Sequence, residues 1–357
     1  MVAEPARIKR LRAGLVEREL DQLLVTNLDN VRYLSGFSGT NGTLLIGADE
    51  AVLLTDFRYT VQAAAQAEYF ETIDGGTEPR KRLVERLGAR VGFDDADMRV
   101  KAHAALVEEL PETTELVSAS GLVEGLRAVK DAHEIDSIAR AAMIGDSIYA
   151  TLAEEGLAGR SETDIAWRIE VLAREAGASG LSFPSIVAAG AHGALPHAEP
   201  RNVEIERGEL VVLDLGVIYE GYCSDCTRTF ATGPISDSAR DAYALVLSAQ
   251  EAALKAVQVG ADCKGLDAIA RDAITEGGMG DLFGHSLGHG VGIEVHELPT
   301  LSSRSEGSLV EGNVVTVEPG VYLEGQFGIR IEDLVVVAED DGPRVLSPFT
   351  KELITVG

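Results

Sequence analysis

Two stretches of this chain repeat each other at an offset of 104 residues, and that repeat limits the folds open to it. Residues 211–221 read VVLDLGVIYEG and residues 315–325 read VTVEPGVYLEG. Val211, Gly216, Val217, Glu220 and Gly221 match Val315, Gly320, Val321, Glu324 and Gly325, and Asp214 aligns with Glu318. Each stretch leads to a second acid in strand-like sequence, Asp225 in the first and Glu332 in the second. Repeated strand–turn–strand units predict two related halves, each offering a carboxylate hairpin. A lone charge in an apolar strand is costly to bury. Carboxylates that share a pocket repel one another and favour a cation.

Histidine usage points the same way. Five of the seven histidines fall in one region: His192, His197, His285, His289 and His296. Three sit in HSLGHGVGIEVHELP, where Gly288, Gly290 and Gly292 are expected to let backbone approach a ligand closely. The spacing is not a dinucleotide fingerprint. Four carboxylates and one neutral imidazole make an oxygen-rich donor set. It suits two divalent ions, Mn or Co, with Zn possible. Such a site activates a water and clamps a carbonyl oxygen, which implies hydrolysis.

The charge balance removes other classes. There are 58 acidic residues against 31 basic ones, a net charge of -27. Nucleic acid and anionic lipid both call for a basic patch. Most of the excess reads as a solubilising surface. The charge-free stretch 176–198 contains Pro184, Pro196 and two histidines, so it is not a membrane helix. No signal-peptide pattern opens the chain, and three cysteines fit a reducing compartment. A cytoplasmic location is expected. Cys223 and Cys226 have no second pair to complete a zinc site and read as packing around Asp225.

Residues 1–126 alternate strand-like runs at 22–26, 43–46, 51–55, 91–93 and 116–118 with helical spacing at 8–20, 59–67 and 81–87. That predicts a small α/β domain. Residues 127–357 form the second expected domain. Ala-rich helices are expected there at 132–155, 162–176 (capped by Ser161), 237–258 and 265–276, with strands at 210–215, 314–317 and 334–337. Trp167, the only tryptophan, is expected to pack.

These motifs resemble a known family. NVRYLSGFSGTNG and LLTDFRYTVQA are similar to the creatinase/prolidase N-terminal domain. ALPHAEP, LDLGVIYEGYCSDCTRTF, HSLGHGVGIEVHELP, VEPGVYLEG and GIRIEDLVVV, in that order, resemble the pita-bread metallopeptidases of the Xaa-Pro aminopeptidase (aminopeptidase P) and prolidase branch. The resemblance covers essentially the whole chain. It implies an α/β (α+β) architecture: an N-terminal creatinase/prolidase-like domain over 1–126 and a pita-bread catalytic domain with a pseudo-two-fold internal repeat over 127–357. It also implies five metal ligands. Asp214 would serve one ion, His289 and Glu318 the other, and Asp225 and Glu332 both. Glu318 would handle a proton, with His197 and His296 contacting the substrate carbonyl. His285 lies near the site, and Thr227 and Arg330 would support the shared carboxylates. Phe183 is a candidate wall for the proline ring.

The implied activity is hydrolysis of the bond before proline, in peptides with proline second, by a homodimer. Prolidases often place an arginine soon after the last HE, where it can hold a dipeptide's carboxylate. Here Thr300 stands at that place and the nearest arginine is Arg304. Release of the N-terminal residue from longer peptides is therefore preferred over strict dipeptidase action. A creatinase-like amidinohydrolase or a non-catalytic binding protein on this scaffold would lack the full ligand set.

Overall fold

Residues 4–339 and 342–357 are described in this computed structural model, and they divide into two units, Met1–Arg127 and Ala128–Gly357. Among the described residues of the first unit, six strands form one sheet. These are β1 (Gln22–Val25), β2 (Thr43–Gly47), β3 (Ala51–Thr55), β4 (Glu71–Asp74), β5 (Arg90–Phe93) and β6 (Glu115–Ser118), in the order β4-β3-β2-β1-β5-β6. β1 is parallel to β5 and antiparallel to β2. Its residues are all buried, as a central apolar strand covered on both faces requires. The expected elements appear with shifted ends; the first helix is Ala6–Glu17 and the third Pro79–Val84. β4 and the helices Leu28–Ser35, Val100–Val107 and Leu122–Arg127 were not anticipated. Leu28–Ser35 begins where the Asn27 side chain accepts the N–H groups of Asp29 and Asn30.

The second unit opens with the helices Ala132–Glu155 and Glu162–Glu175. Each starts in a capping box, Asp131 with Glu134 and Ser161 with Asp164. Then follow β7 (Gly180–Leu181), β8 (Ile186–Ala189), β9 (Leu210–Leu215), β10 (Val217–Tyr219), β11 (Tyr222–Cys223) and β12 (Cys226–Ala231). The helices Asp237–Ala256 and Cys263–Glu276 precede β13 (Gly288–Gly290), β14 (Glu297–Leu301), β15 (Val314–Val317), β16 (Gly320–Leu323), β17 (Phe327–Arg330), β18 (Asp333–Val336) and β19 (Arg344–Val345).

The sequence repeat is a structural repeat. β8–β9–β12 are antiparallel neighbours in the first half, and β13–β15–β18 are their counterparts in the second. β10 pairs with β11 as β16 pairs with β17. The β10–β11 turn is Glu220-Gly221, with φ of 50° and 83°. Positive φ at both positions is the primed turn that matches strand twist.

The strand period of two then sorts the faces. In β9, Val211, Leu213 and Leu215 pack on Ile144, Ile148 and Ile165 of the first helix pair. Asp214 therefore falls on the opposite face. In β15, Val315 and Val317 pack with Val246, Leu266 and Ile274 of the second helix pair. Thr316 and the following Glu318 take the other face. Helices cover the outside of both sheets, and the acids collect inside.

Trp167 corrects its expectation. The helix Glu162–Glu175 buries Ile165, Ile169 and Ala173, and Trp167 points away from that face, 69% exposed.

Candidate active site

Asp214 sits near the end of β9, opposite Thr227 of β12 and Ile186 of β8. Asp225 occupies the step between β11 and β12, and Glu332 the matching step between β17 and β18. Glu332 donates its backbone N–H to the Thr227 carbonyl, 3.2 Å, so main chain links the two halves beside their acids. Glu318 directly follows β15 and donates its N–H to Leu287 O, 2.8 Å. His289 is the middle residue of β13, paired with Thr300 of β14.

Two of the glycines around His289 admit the backbone of neighbouring strands. A Cβ on Gly288 would meet Thr316 O at 2.1 Å, and one on Gly290 would meet Leu298 O at 2.1 Å. Only a residue without Cβ lets β13 lie this close to β15 and β14.

A cavity of about 560 Å³ opens over these positions. Phe183, His197, Asp214, Asp225, His285, His289, His296, Glu318, Arg330 and Glu332 all line it. Thr227 lies behind it, fully buried. His192 is elsewhere: its Nδ1 is 3.0 Å from the buried carboxylate of Glu162, which Arg201 also holds.

Oxygen atoms of Asp214, Asp225 and Glu332 lie within 4.8 Å of one another. His289 Nε2 is 3.2 Å from Glu318 Oε1 and 3.6 Å from Asp225 Oδ2. The His289 and His296 rings meet edge to face at 4.4 Å. Thr227 Oγ1 donates to Glu332 Oε2, 2.8 Å, and accepts from Arg330 Nε, 2.9 Å. Arg330 was expected to support the shared carboxylates Asp225 and Glu332. Its charge does favour ionisation of both, but its direct hydrogen bond goes from Nη2 to Asp214 Oδ2 at 2.6 Å, and its hydrogen-bond link to Glu332 runs through Thr227.

Two polar residues escaped sequence reading. Tyr322 OH accepts from Arg330 Nη1, 2.8 Å, and is hydrogen-bonded to His285 Nε2, 2.9 Å. Thr316 Oγ1 donates to Glu318 Oε1 and accepts from His289 N–H, both 3.1 Å. In the repeat they replace Ile218 and Val212. A polar residue at an apolar repeat position was the available signal.

The electrostatics fit a cation. Burial, then the charges of Glu332, Asp214 and Glu318, pushes Asp225 well above the carboxylate range. Burial, then Glu318 and Asp214, does the same to Glu332. Glu318 goes the other way: burial opposes ionisation, but the hydrogen bond and charge of His289 bring it down to about 2. Asp214 Oδ1 and Glu332 Oε1 are buried without a hydrogen-bond partner among the described residues. Buried anionic oxygens with nothing to bind are what a divalent ion satisfies, and carboxylates with one imidazole suit a borderline-hard metal.

The chain is similar to known proteins along nearly its whole length. The model of metallopeptidase family M24 matches residues 127–339, and that of the creatinase/prolidase N-terminal domain matches residues 7–129. The chain is 35% identical over 356 residues to an Xaa-Pro dipeptidase of Pyrococcus furiosus, covering 98% of this chain and 99% of that protein. It is 41% identical over 352 residues to an uncharacterized peptidase of Bacillus subtilis, covering 98% and 99%. Among solved structures, an Xaa-Pro dipeptidase from Bacillus anthracis superposes with a TM-score of 0.95 at 38% identity, covering 98% of this chain and 99% of that one. An X-Pro aminopeptidase from Thermotoga maritima gives 0.87 at 36% identity, covering 95% and 99%.

Proposed function

Because the chain belongs to metallopeptidase family M24, we propose that its second unit hydrolyses the peptide bond before a proline and releases the N-terminal residue. The observation that carries this reading is the cluster of buried carboxylates with His289 and two unsatisfied oxygens. Asp214, Asp225, His289, Glu318 and Glu332 would hold two divalent ions, Mn or Co. When bound, such ions supply Lewis acidity toward the scissile carbonyl and activate a water.

The chain's own groups do the rest. Glu318, ionised and held at Oε1 by Thr316, accepts a proton and passes it toward the leaving imino nitrogen. His197 and His296 line the cleft where the carbonyl oxygen gains charge and donate hydrogen bonds to it. Burial, then the neighbouring His289, lowers His296, so its ring is a neutral donor near pH 7. Proline has a fixed φ and no N–H, so its ring needs a shaped wall, for which Phe183 is placed.

The absence of an arginine at position 300 supports the aminopeptidase form. Thr300 is paired in a strand with His289, and Arg304 is exposed and does not line the cleft. The dipeptidase form is favoured by the name of the Pyrococcus furiosus relative. Turnover of an Ala-Pro dipeptide against an Ala-Pro-Ala tripeptide separates them. A higher kcat/KM for the tripeptide is expected, and a strong preference for the dipeptide reverses the choice.

A further inference from the structure

The solvent-facing side of the helix Glu162–Glu175 forms one wall of a second cavity, about 730 Å³, outside the metal site. Thr163, Trp167, Glu170, Val171 and Arg174 recur three and four residues apart along that wall. Leu181 lines the cavity too. The groove is mainly apolar, and its charges are largely spent: Arg174 Nε binds Glu170 at 3.2 Å, and its Nη1 donates to Ser179 O. An indole left 69% exposed beside Val171 and Leu181 is a surface in want of an apolar cover.

Three residues identify what covers it. Pro184, Ser185 and Pro200 line both this groove and the catalytic cleft, so the two adjoin along one rim, where Pro184 is exposed. Whatever chain leaves the cleft over that rim comes onto Trp167. When an enzyme removes the first residue of a peptide, the only part of the substrate that can leave the cleft is the part beyond the proline. Three residues of extended peptide span roughly 10 Å.

We propose that this groove binds the portion of an Xaa-Pro peptide that follows the proline. Trp167 serves as the platform for an apolar side chain, so the substrate class extends to peptides well beyond the dipeptide. The inference rests on the Xaa-Pro reading above. The rigid, wide indole is suited to this: it adds contact area with little ordering cost.

Trp167 is the only tryptophan in the chain, so its emission reports on the groove alone. The test uses the metal-loaded protein with Ala-Pro and Ala-Pro-Ala-Leu-Leu, together with analogues of both whose Ala–Pro carbonyl is reduced to a methylene. The long analogue is expected to shift Trp167 emission to the blue, and the short one is not. Trp167→Ala is expected to lower the ratio of kcat/KM, long peptide over short, by about tenfold through KM, whereas Trp167→Phe keeps it within about twofold. An unchanged ratio in Trp167→Ala, or unshifted emission with the long analogue, overturns the proposal. So does a shift that appears with rising protein concentration and no peptide, which marks the groove as a contact between copies. If the wild-type protein cleaves neither peptide, the Xaa-Pro reading fails, while the emission arm still decides whether the groove holds peptide.

Discussion

Arg330 Nη2 lies 2.6 Å from Asp214 Oδ2, and both side chains are buried. The same guanidinium also holds Tyr322 OH, Thr227 Oγ1 and the Pro196 carbonyl. One planar fork thus ties β17 to β9, β12 and the loop that carries His197. It leaves Asp214 Oδ1 buried and without a hydrogen-bond partner among the described residues.

In the metal-free protein, Arg330→Met should leave Asp214 without its buried counter-charge. Stability should fall by about 3–5 kcal/mol, measured by urea denaturation. Turnover should fall at least 10–100-fold, about the range for loss of a group that orients a metal ligand. Arg330→Lys should recover little, since an ammonium cannot span the same four partners.

Thr227→Val keeps the shape of a fully buried residue but removes the hydroxyl between Glu332 Oε2 and Arg330 Nε. Metal affinity should drop about 10–100-fold, read by competition with a chromogenic chelator. Thr227→Ser should restore most of it.

Asp146 gives a pH-dependent prediction away from the site. Burial pushes its carboxyl up to about 6 from an ordinary 3.8, against the opposing charge of Arg228, and its Oδ1 finds no partner among the described residues. A carboxyl raised on folding destabilises the folded state once ionised. Its penalty is absent below about pH 4, grows between pH 4 and 6, and is complete above pH 6. Asp146→Asn should therefore stabilise the protein near pH 7.5, on the order of 1–2 kcal/mol after solvent screening of a partly exposed group. The gain should vanish near pH 4. A thermal-melt series in both forms across that range checks the sign.

Much of this was legible before any coordinates. The 104-residue repeat announced paired carboxylate hairpins because strand period and turn glycines are local properties. Asp214, Asp225, Glu318 and Glu332 do lie on the inner face of the two sheets. What escaped depends on contacts between distant strands. The preference of Arg330 for Asp214 is set by how β17 crosses β9, which no spacing reveals. The exposure of Trp167 follows from which helical face carries Ile165 and Ile169, a comparison that its own apolar character obscured. The backbone contacts of Gly288 and Gly290 were not foreseen, because close approach has two possible partners, ligand or backbone, and sequence does not distinguish them. Leu28–Ser35 was missed because eight residues give too little periodicity.

In the proposed function, Asp214, Asp225, His289, Glu318 and Glu332 hold the metal on which hydrolysis depends. The most direct measurement is metal content per chain together with Ala-Pro-Ala hydrolysis, for the wild-type protein and Asp225→Asn, before and after chelation and with Mn or Co added back. The wild-type protein should bind two ions, lose activity on chelation and regain it on addition. Asp225→Asn, folded by circular dichroism, should bind fewer ions and stay inactive. Hydrolysis that survives complete metal removal, or near-normal turnover in Asp225→Asn, would contradict the account.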